Sequence, residues 1–98
     1  FAAEADMINE IVFGQTASQW RKQNADKPTN RNQRDYASVL DLQILANLES
    51  LDSMLLQWDC DKAERRKFLQ EMYDFQYPIL KRSKTIKKLQ ELANKFLK

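Results

Sequence analysis

Apolar residues recur at helical spacing along most of the chain, and the strongest such pattern lies in its middle. The leucines of this pattern are Leu42, Leu45, Leu48 and Leu55, and they are flanked by Ile44, Leu51, Met54 and Trp58. Spacings of three and four residues place these side chains on one broad face of a helix. Ser38 precedes the pattern and is a suitable N-cap, with Asp41 three residues later. The pattern predicts a long amphipathic helix over residues 39–58.

The N-terminal part of the chain predicts a helix, a second short helix and a loop. Residues 3–14 carry apolar side chains at helical spacing, and Gly14 after them favours a left-handed C-terminal cap. Thr16 and Gln19 form a capping box, which predicts a helix of about two turns over 16–24, with Trp20 as its anchor. Residues 24–33 are predicted to be a loop, since Pro28 and several amide side chains favour turns.

The C-terminal part predicts two more helices. Asp61 with Glu64 caps a helix that runs through Phe68 and Phe75, and Pro78 is expected to kink or end it near Gln76. A last helix follows, with Ile86, Leu89, Leu92, Ala93 and Phe96 on one face and lysines on the other. We therefore predict an all-α, bundle-like fold in which residues 1–98 form one small domain of four or five helices. Residues 78–98 are its basic terminal helix.

Length and composition agree with a small helical domain. The chain has 98 residues, which fits one domain, and it is 43% hydrophobic and 31% charged. No apolar run is long enough to span a bilayer. The single cysteine, Cys60, cannot form an internal disulfide, which favours a reducing, cytoplasmic setting. The chain begins at Phe1 within a helical pattern, so we interpret it as a piece of a longer protein or as a processed chain.

The residue type that most often supports enzyme chemistry is missing. Histidine is absent, which removes the commonest general base and metal ligand. Asp59, Cys60 and Asp61 are interpreted as a polar turn with a helix cap rather than as a metal site. Glu49 and Asp52 are expected on a solvated helix face. We predict a non-enzymatic protein with no catalytic residues, no cofactor and no bound metal.

The positive charge is concentrated at the C-terminal end. Residues 81–98 have a net charge of +6, although the whole chain has only +2. This segment allows contact with nucleic-acid phosphates, contact with an anionic membrane, or ordinary docking as an amphipathic helix. We favour docking, place nucleic-acid binding second and do not expect a membrane partner. The candidate nucleic-acid-binding residues are Lys81, Arg82, Lys84, Lys87, Lys88 and Lys95.

Large aromatic residues are numerous for so short a chain. Some of them are expected to line an interface with a second copy or with another protein, since aromatics are enriched at interfaces. The candidates for this interface are Trp58, Phe68 and Phe75.

The triplet Arg34-Asp35-Tyr36 stands just before the central helix and has two interpretations. It could recognise nucleic acid, with Arg34 on a phosphate and Tyr36 stacked on a base. It could instead be a structural hinge, in which Arg34 pairs with a carboxylate, Asp35 accepts backbone N–H groups and Tyr36 packs on Trp20 or on the central helix. We favour the hinge, because a tight connection into a capped helix needs such partners.

Several short blocks, in order within residues 5–66, together resemble the KilA-N domain proteins of phage and bacterial origin. Residues 13–21 are similar to the family's F-G-x-T-A-x-x-W-R, and residues 32–38 to its N-x-R-D-Y-A-[ST]. Residues 47–50 resemble its N-x-E-S, and Glu64-Arg65 its E-R pair. In place of the family's glycine turn, residues 58–61 read Trp-Asp-Cys-Asp, and after residue 70 the resemblance stops.

The resemblance implies a position C-terminal to the KilA-N module, which is the presumed DNA-binding part of such proteins. It implies no catalytic residues for this region. We therefore expect a non-enzymatic helical module of a KilA-N-type DNA-binding or regulatory protein. It would mediate self-association or partner binding, while DNA would be met mainly by the other module.

Overall fold

The protein is mainly helical in a computed structural model that describes residues 2–96. The helices are α1 (Ala2–Phe13), α2 (Ala17–Gln23), a 3-10 helix (Gln33–Tyr36), α3 (Val39–Gln57), α4 (Lys62–Lys81) and α5 (Lys84–Phe96). No strand occurs between residues 2 and 96. The predicted all-α fold of five helices is confirmed. Phe1 of the predicted domain, and residues 97 and 98 of the predicted terminal helix, lie outside the described residues.

The core forms where α1, α3 and α4 meet. Its buried side chains are Met7, Ile8, Ile11, Val12, Ile44, Leu45, Leu48, Leu55 and Leu69. Helices α3 and α4 run antiparallel, because Asp52 contacts Arg65 near one end of the pair and Asn47 contacts Gln76 nearer the other. Burying side chains such as these, at about 1.5–3 kcal/mol each, is the main force that holds the three helices together.

The predicted end of α1 and the predicted starts of α2, α3 and α4 are confirmed by the backbone conformation and the capping bonds at these positions. Gly14 has a φ of 78°, the left-handed conformation expected after α1. Thr16 and Gln19 form the complete capping box of α2. The Ser38 hydroxyl accepts from the Asp41 N–H at 3.1 Å, and the Asp61 carboxylate accepts from the Glu64 N–H at 2.8 Å. Local sequence therefore determines where α2, α3 and α4 begin.

Of the two alternatives expected at Pro78, a kink or an end of α4 near Gln76, the end is wrong, because the helix continues through Pro78 to Lys81. Pro78 has no N–H to donate to the carbonyl of Asp74, four residues earlier. Both Pro78 and Asp74 are exposed, so that carbonyl lies on the solvent side of the helix. The missing bond costs less there than it would in the core, and Leu80 beyond it still packs against the core.

The basic terminal helix is shorter than the predicted 78–98. Residues 78–81 belong to α4, and α5 begins at Lys84, where the Ser83 hydroxyl accepts from the Ile86 N–H at 3.2 Å. Helix α5 packs on α3, with Ile86 buried. The side-chain oxygen of Gln90 accepts from the Val39 N–H at 2.8 Å, which ties α5 to the first turn of α3.

The loop after α2 is organised around Arg21. Its guanidinium donates to the carbonyls of Asn24, Lys27 and Pro28 at 3.1–3.4 Å, and also to the carbonyl of Arg31. One buried aromatic neighbour, Trp20, lies under this guanidinium at 4.9 Å. A single side chain thus satisfies backbone acceptors that a loop cannot satisfy with a regular ladder.

Candidate interaction surfaces

One side of α3 carries a row of apolar side chains that is half-buried at Leu51 and Met54 and exposed at Trp58. Leu51, Met54 and Trp58 are spaced by three and four residues and therefore lie on one stripe of α3. Asn47 begins the same stripe and donates to the Gln76 side chain of α4 at 3.0 Å. The stripe therefore runs beside α4 along the seam between the two helices.

A matching row lies on α4. Phe68, Phe75 and Ile79 are spaced by seven and four residues, which places them on one stripe of that helix. Together with Leu51, Met54 and Trp58 they form what we call the α3–α4 apolar face. Trp58 is 65% exposed and Phe75 is 64% exposed, and Ile79 is exposed as well. Aromatic side chains this large are normally buried against something.

The opposite flank of α3 lies beside α1 and α5, and the buried side of α3 lies between the two flanks. This opposite flank carries Leu42, Glu49 and Leu56, each seven residues apart. Glu49 and Leu56 line a cleft against residues of α1, and Leu42 lines a groove against residues of α5. Leu42 and Leu56 are 39% and 44% exposed, less than the 65% and 64% of Trp58 and Phe75, so the α3–α4 apolar face is the more open of the two flanks.

The predicted interface residues therefore differ in their surroundings. Trp58 and Phe75 point outward, whereas Phe68 is half-buried and packs against the core. Phe68 thus supports the edge of the core as well as the surface beside it. Trp58 and Leu42 belong to the predicted apolar pattern of the central helix, and both are exposed at its edges.

The candidate nucleic-acid-binding residues between Lys81 and Lys95 are all exposed. Lys81 ends α4 with its ammonium 5.8 Å from the ring of Tyr77, and Arg82 lies in the link to α5. Helical spacing places Lys84, Lys87, Lys88 and Lys95 on the side of α5 opposite the buried Ile86, with Glu91 among them. Within residues 2–96, none of these basic side chains forms an ion pair.

The Arg34-Asp35-Tyr36 triplet makes the three contacts expected of a hinge. Arg34 pairs with Glu49 of α3 at 3.5 Å. Asp35 accepts from the Asn32 N–H at 2.7 Å. Tyr36 stacks on Trp20 with ring centroids 5.7 Å apart. These contacts connect α2 and the 3-10 helix to each other and to α3.

A buried ionic cluster joins α1, α3 and α4. Arg65 Nε donates to Asp52 at 3.1 Å, and Nη1 donates to the carbonyl of Cys60 at 2.7 Å. Its Nη2 donates to Glu4. Asp52 is only 3% exposed, so the expectation that it belongs to a solvated face is wrong, although Glu49 is exposed as expected.

The two carboxyl groups of this cluster titrate in opposite directions. Burial and, next to it, the neighbouring Glu4 raise the pKa of Asp52 to about 6, although Arg65 acts in the opposite direction. The hydrogen bond with Asp52 lowers the pKa of Glu4, and so does the positive charge of Arg65. The carboxyl at the centre of the cluster therefore takes up a proton more readily than the one at its edge.

The spacing of Asp52 and Arg65 from buried leucines indicates this cluster in the sequence. Asp52 lies four residues after Leu48 and three before Leu55, and Arg65 lies four residues before Leu69. Both charged residues therefore occupy the buried stripes of their helices. A charge at such a position needs a partner, and the opposite charge on the next helix supplies it.

The residues around the α3–α4 turn do not form a metal site. Within residues 2–96 no group of three or more histidine, cysteine or acidic side chains could hold a metal ion. Asp59 has a φ of 57°. It therefore takes a left-handed conformation that glycine adopts at lower cost, at the turn where the KilA-N pattern has glycine.

No helix in the described part of the chain is long and apolar enough to cross a membrane.

Comparison with models of known protein families, with curated proteins and with solved structures found no match for this chain. The residues on which the KilA-N resemblance depends have structural contacts within the fold. Trp20 of the first block stacks on Tyr36 of the second, Arg34 of the second pairs with Glu49 of the third, and Arg65 of the last holds the buried cluster.

Proposed function

We propose that this chain is a non-enzymatic helical module that associates with a second copy of itself through the α3–α4 apolar face. The observation that supports the proposal is the exposure of Trp58 on α3 and of Phe75 on α4, both near two-thirds, beside the seam between these helices. Exposed aromatic side chains on a contiguous apolar surface are typical of interfaces.

A second copy is the occupant that fits this face most simply. In a two-fold symmetric contact the same surface meets itself, so an apolar row needs no chemically different partner. The face carries aliphatic and aromatic side chains from two antiparallel helices, and pairing it would bury Trp58 and Phe75 in both copies. A different protein with an apolar helix face is the other partner that this surface would accept.

The resemblance to KilA-N proteins gives the proposed association a purpose. In such a protein, a self-associating C-terminal module in the cytoplasm would hold two DNA-binding modules together. Linking two weak contacts raises apparent affinity through effective concentration, without any new contact to DNA.

Sedimentation of the chain over a range of concentrations tests the proposal. We expect a dimer that Phe75→Ser weakens by at least tenfold, because an exposed ring at the centre of the face is lost from both copies. Phe96→Ser is the matched control, since Phe96 is also exposed, at 78%, but lies on α5. Circular dichroism should show that both variants keep their helices.

A strict monomer at high concentration would contradict self-association. A dimer weakened by Phe96→Ser and not by Phe75→Ser would place the contact on α5 instead, and would contradict the role of the α3–α4 apolar face.

Nucleic-acid binding through the basic C-terminal residues is the second candidate function. It is favoured by the side of α5 that carries Lys84, Lys87, Lys88 and Lys95, all exposed. Contacts to phosphates release counterions, so binding should weaken steeply as salt rises. The area for base stacking is small, since Phe96 is the only aromatic residue of α5. Any binding should therefore depend little on sequence.

Short duplex DNA at about 50 mM salt provides the test. Replacing Lys84, Lys87 and Lys88 together with Gln should reduce binding, whereas the same change at Lys22, Lys62 and Lys67 removes equal charge elsewhere and should have a smaller effect. No binding by the unaltered chain, or equal losses in the two triple variants, would contradict a role for α5.

A further inference from the structure

The buried cluster of Glu4, Asp52 and Arg65 contains more carboxyl groups than positive groups. Arg65 donates to both carboxyls and to the carbonyl of Cys60, with each of its nitrogens engaged. The side chains of Arg65 and Asp52 are 7% and 4% exposed, so water gives them little screening. If both carboxyls were ionised, the cluster would keep an uncompensated negative charge in the interior, which is costly.

The hydrogen bonding of Glu4 shows where a proton is needed. One carboxylate oxygen of Glu4 accepts from Arg65, but the other, Oε2, is buried and has no donor. The Asp52 and Glu4 carboxyls meet the same guanidinium, at Nε and Nη2 of Arg65, which brings the two carboxyls together. Two ionised carboxylates cannot donate to each other, whereas a protonated Asp52 supplies the O–H that Oε2 lacks.

We propose that Glu4 and Asp52 share one proton, so that the docking of α1 onto α3 and α4 tightens as the pH falls below neutrality and loosens as it rises. The proton acts as a bridge between α1 and α3. Its loss leaves two carboxylates competing for Arg65 and weakens the N-terminal half of α1 first, because Glu4 belongs to that half.

The other charged groups near the cluster do not remove the need for the proton. The positive charge of Lys62 favours ionised Glu4, and Arg65 acts in the same direction on Asp61. Glu49 lines the same cleft as Glu4 and Asp52, but it is exposed and paired with Arg34. On the far side of α1, Glu10 pairs with Arg66 at 3.7 Å. None of these groups donates to Oε2 of Glu4.

The sign of the expected pH dependence follows from the raised pKa of Asp52. Between its ordinary value of 3.8 and its folded value of about 6, the folded protein binds a proton that the unfolded chain does not. Stability therefore falls as the pH rises through this window. The lowered pKa of Glu4 acts in the opposite direction, but only where the pH falls to about its ordinary value of 4.5 or below.

Denaturant unfolding of the full chain between about pH 5 and pH 7 tests the proposal. We expect the unfolding equilibrium constant to rise about tenfold over this range, as one extra bound proton predicts. Asp52→Asn should flatten the dependence, because its amide can donate to Glu4 while its oxygen accepts from Arg65. Glu71→Gln removes one exposed carboxyl from α4 and should keep the dependence of the unaltered chain.

Two further readouts locate the effect. Carboxyl resonances of the unaltered chain should show Asp52 titrating near pH 6, a result that requires no variant to fold. The rate of amide hydrogen exchange in α1 should increase with pH by more than the intrinsic, base-catalysed increase of an unprotected amide. Asp52→Asn should remove this additional increase. The proposal is overturned if Asp52 titrates below about pH 4.5, if stability is flat or rises between pH 5 and pH 7, or if Asp52→Asn keeps the full dependence.

Discussion

An arginine of α4 and an arginine of the 3-10 helix each reach a carboxylate on α3, but in opposite surroundings. Arg65 meets Asp52 at 3.1 Å with both side chains below 10% exposed. Arg34 meets Glu49 at 3.5 Å with the side chains 38% and 47% exposed. An ion pair between arginine and a carboxylate thus connects core helices in the interior in one place and forms a surface contact in the other.

The difference in burial changes what each pair does for the fold. In the interior, water cannot replace a lost partner, so removing one charge leaves the other uncompensated. At the surface, water and salt replace it readily, and such a pair contributes about 0–1 kcal/mol. The Arg65 cluster should therefore hold α1 in place, whereas the Arg34 pair should mainly set the orientation of the 3-10 helix.

Arg65→Met should give the largest effect. It leaves the buried Asp52 and the half-buried Glu4 without their cation, and we expect a loss of about 3–5 kcal/mol in the free energy of unfolding at neutral pH. Denaturant unfolding measures it. Arg66→Met is the matched control, since Arg66 is the next residue and pairs with Glu10 while about half exposed. We expect the control to lose less than about 1 kcal/mol.

Equal losses in the Arg65 and Arg66 variants would show that burial does not separate the two kinds of pair. A smaller loss for Arg65→Met at pH 5 than at pH 7.5 would sharpen the comparison, because protonated carboxyls need the cation less.

Tyr36→Ala should have an intermediate effect. The ring centroids of Tyr36 and Trp20 are 5.7 Å apart, and Tyr36 is 52% exposed. Only the buried part of its surface loses packing contacts when the ring is removed. We expect a loss of about 1 kcal/mol, within the range of aromatic pairs. Tyr36→Phe keeps the ring and should be neutral. If the two variants lost the same stability, the phenolic hydroxyl rather than the stack would matter.

The sequence predicted well those features that depend on local chemistry. Thr16, Ser38 and Asp61 cap their helices, and Gly14 ends α1, because each requires only neighbours a few residues away. The contacts of the Arg34-Asp35-Tyr36 triplet were expected for a similar reason, since a short connection into a capped helix has few ways to satisfy its polar groups.

The sequence predicted poorly those features that depend on which helix faces meet. Pro78 argued for the end of α4, but its exposed position reduces the cost of the lost hydrogen bond. Asp52 and Glu49 have the same chemistry and lie three residues apart on α3. The spacing of Asp52 from Leu48 and Leu55 indicates the buried stripe, but its partners come from α4 and α1 and depend on how these helices dock.

The smallest effect is expected at the exposed pair. A double-mutant cycle with Arg34→Gln and Glu49→Gln should give a coupling of about 0.2–1 kcal/mol, and the coupling should shrink in 1 M salt because exposed charges are screened. Glu49 also lines the cleft beside Glu4 and Asp52, so the cycle should be run above pH 7, where the buried cluster does not titrate. A coupling above about 2 kcal/mol that persists in salt would mean that Arg34 behaves like Arg65. In that case the geometry of the contact rather than its burial would determine the strength of the Arg34–Glu49 and Arg65–Asp52 ion pairs.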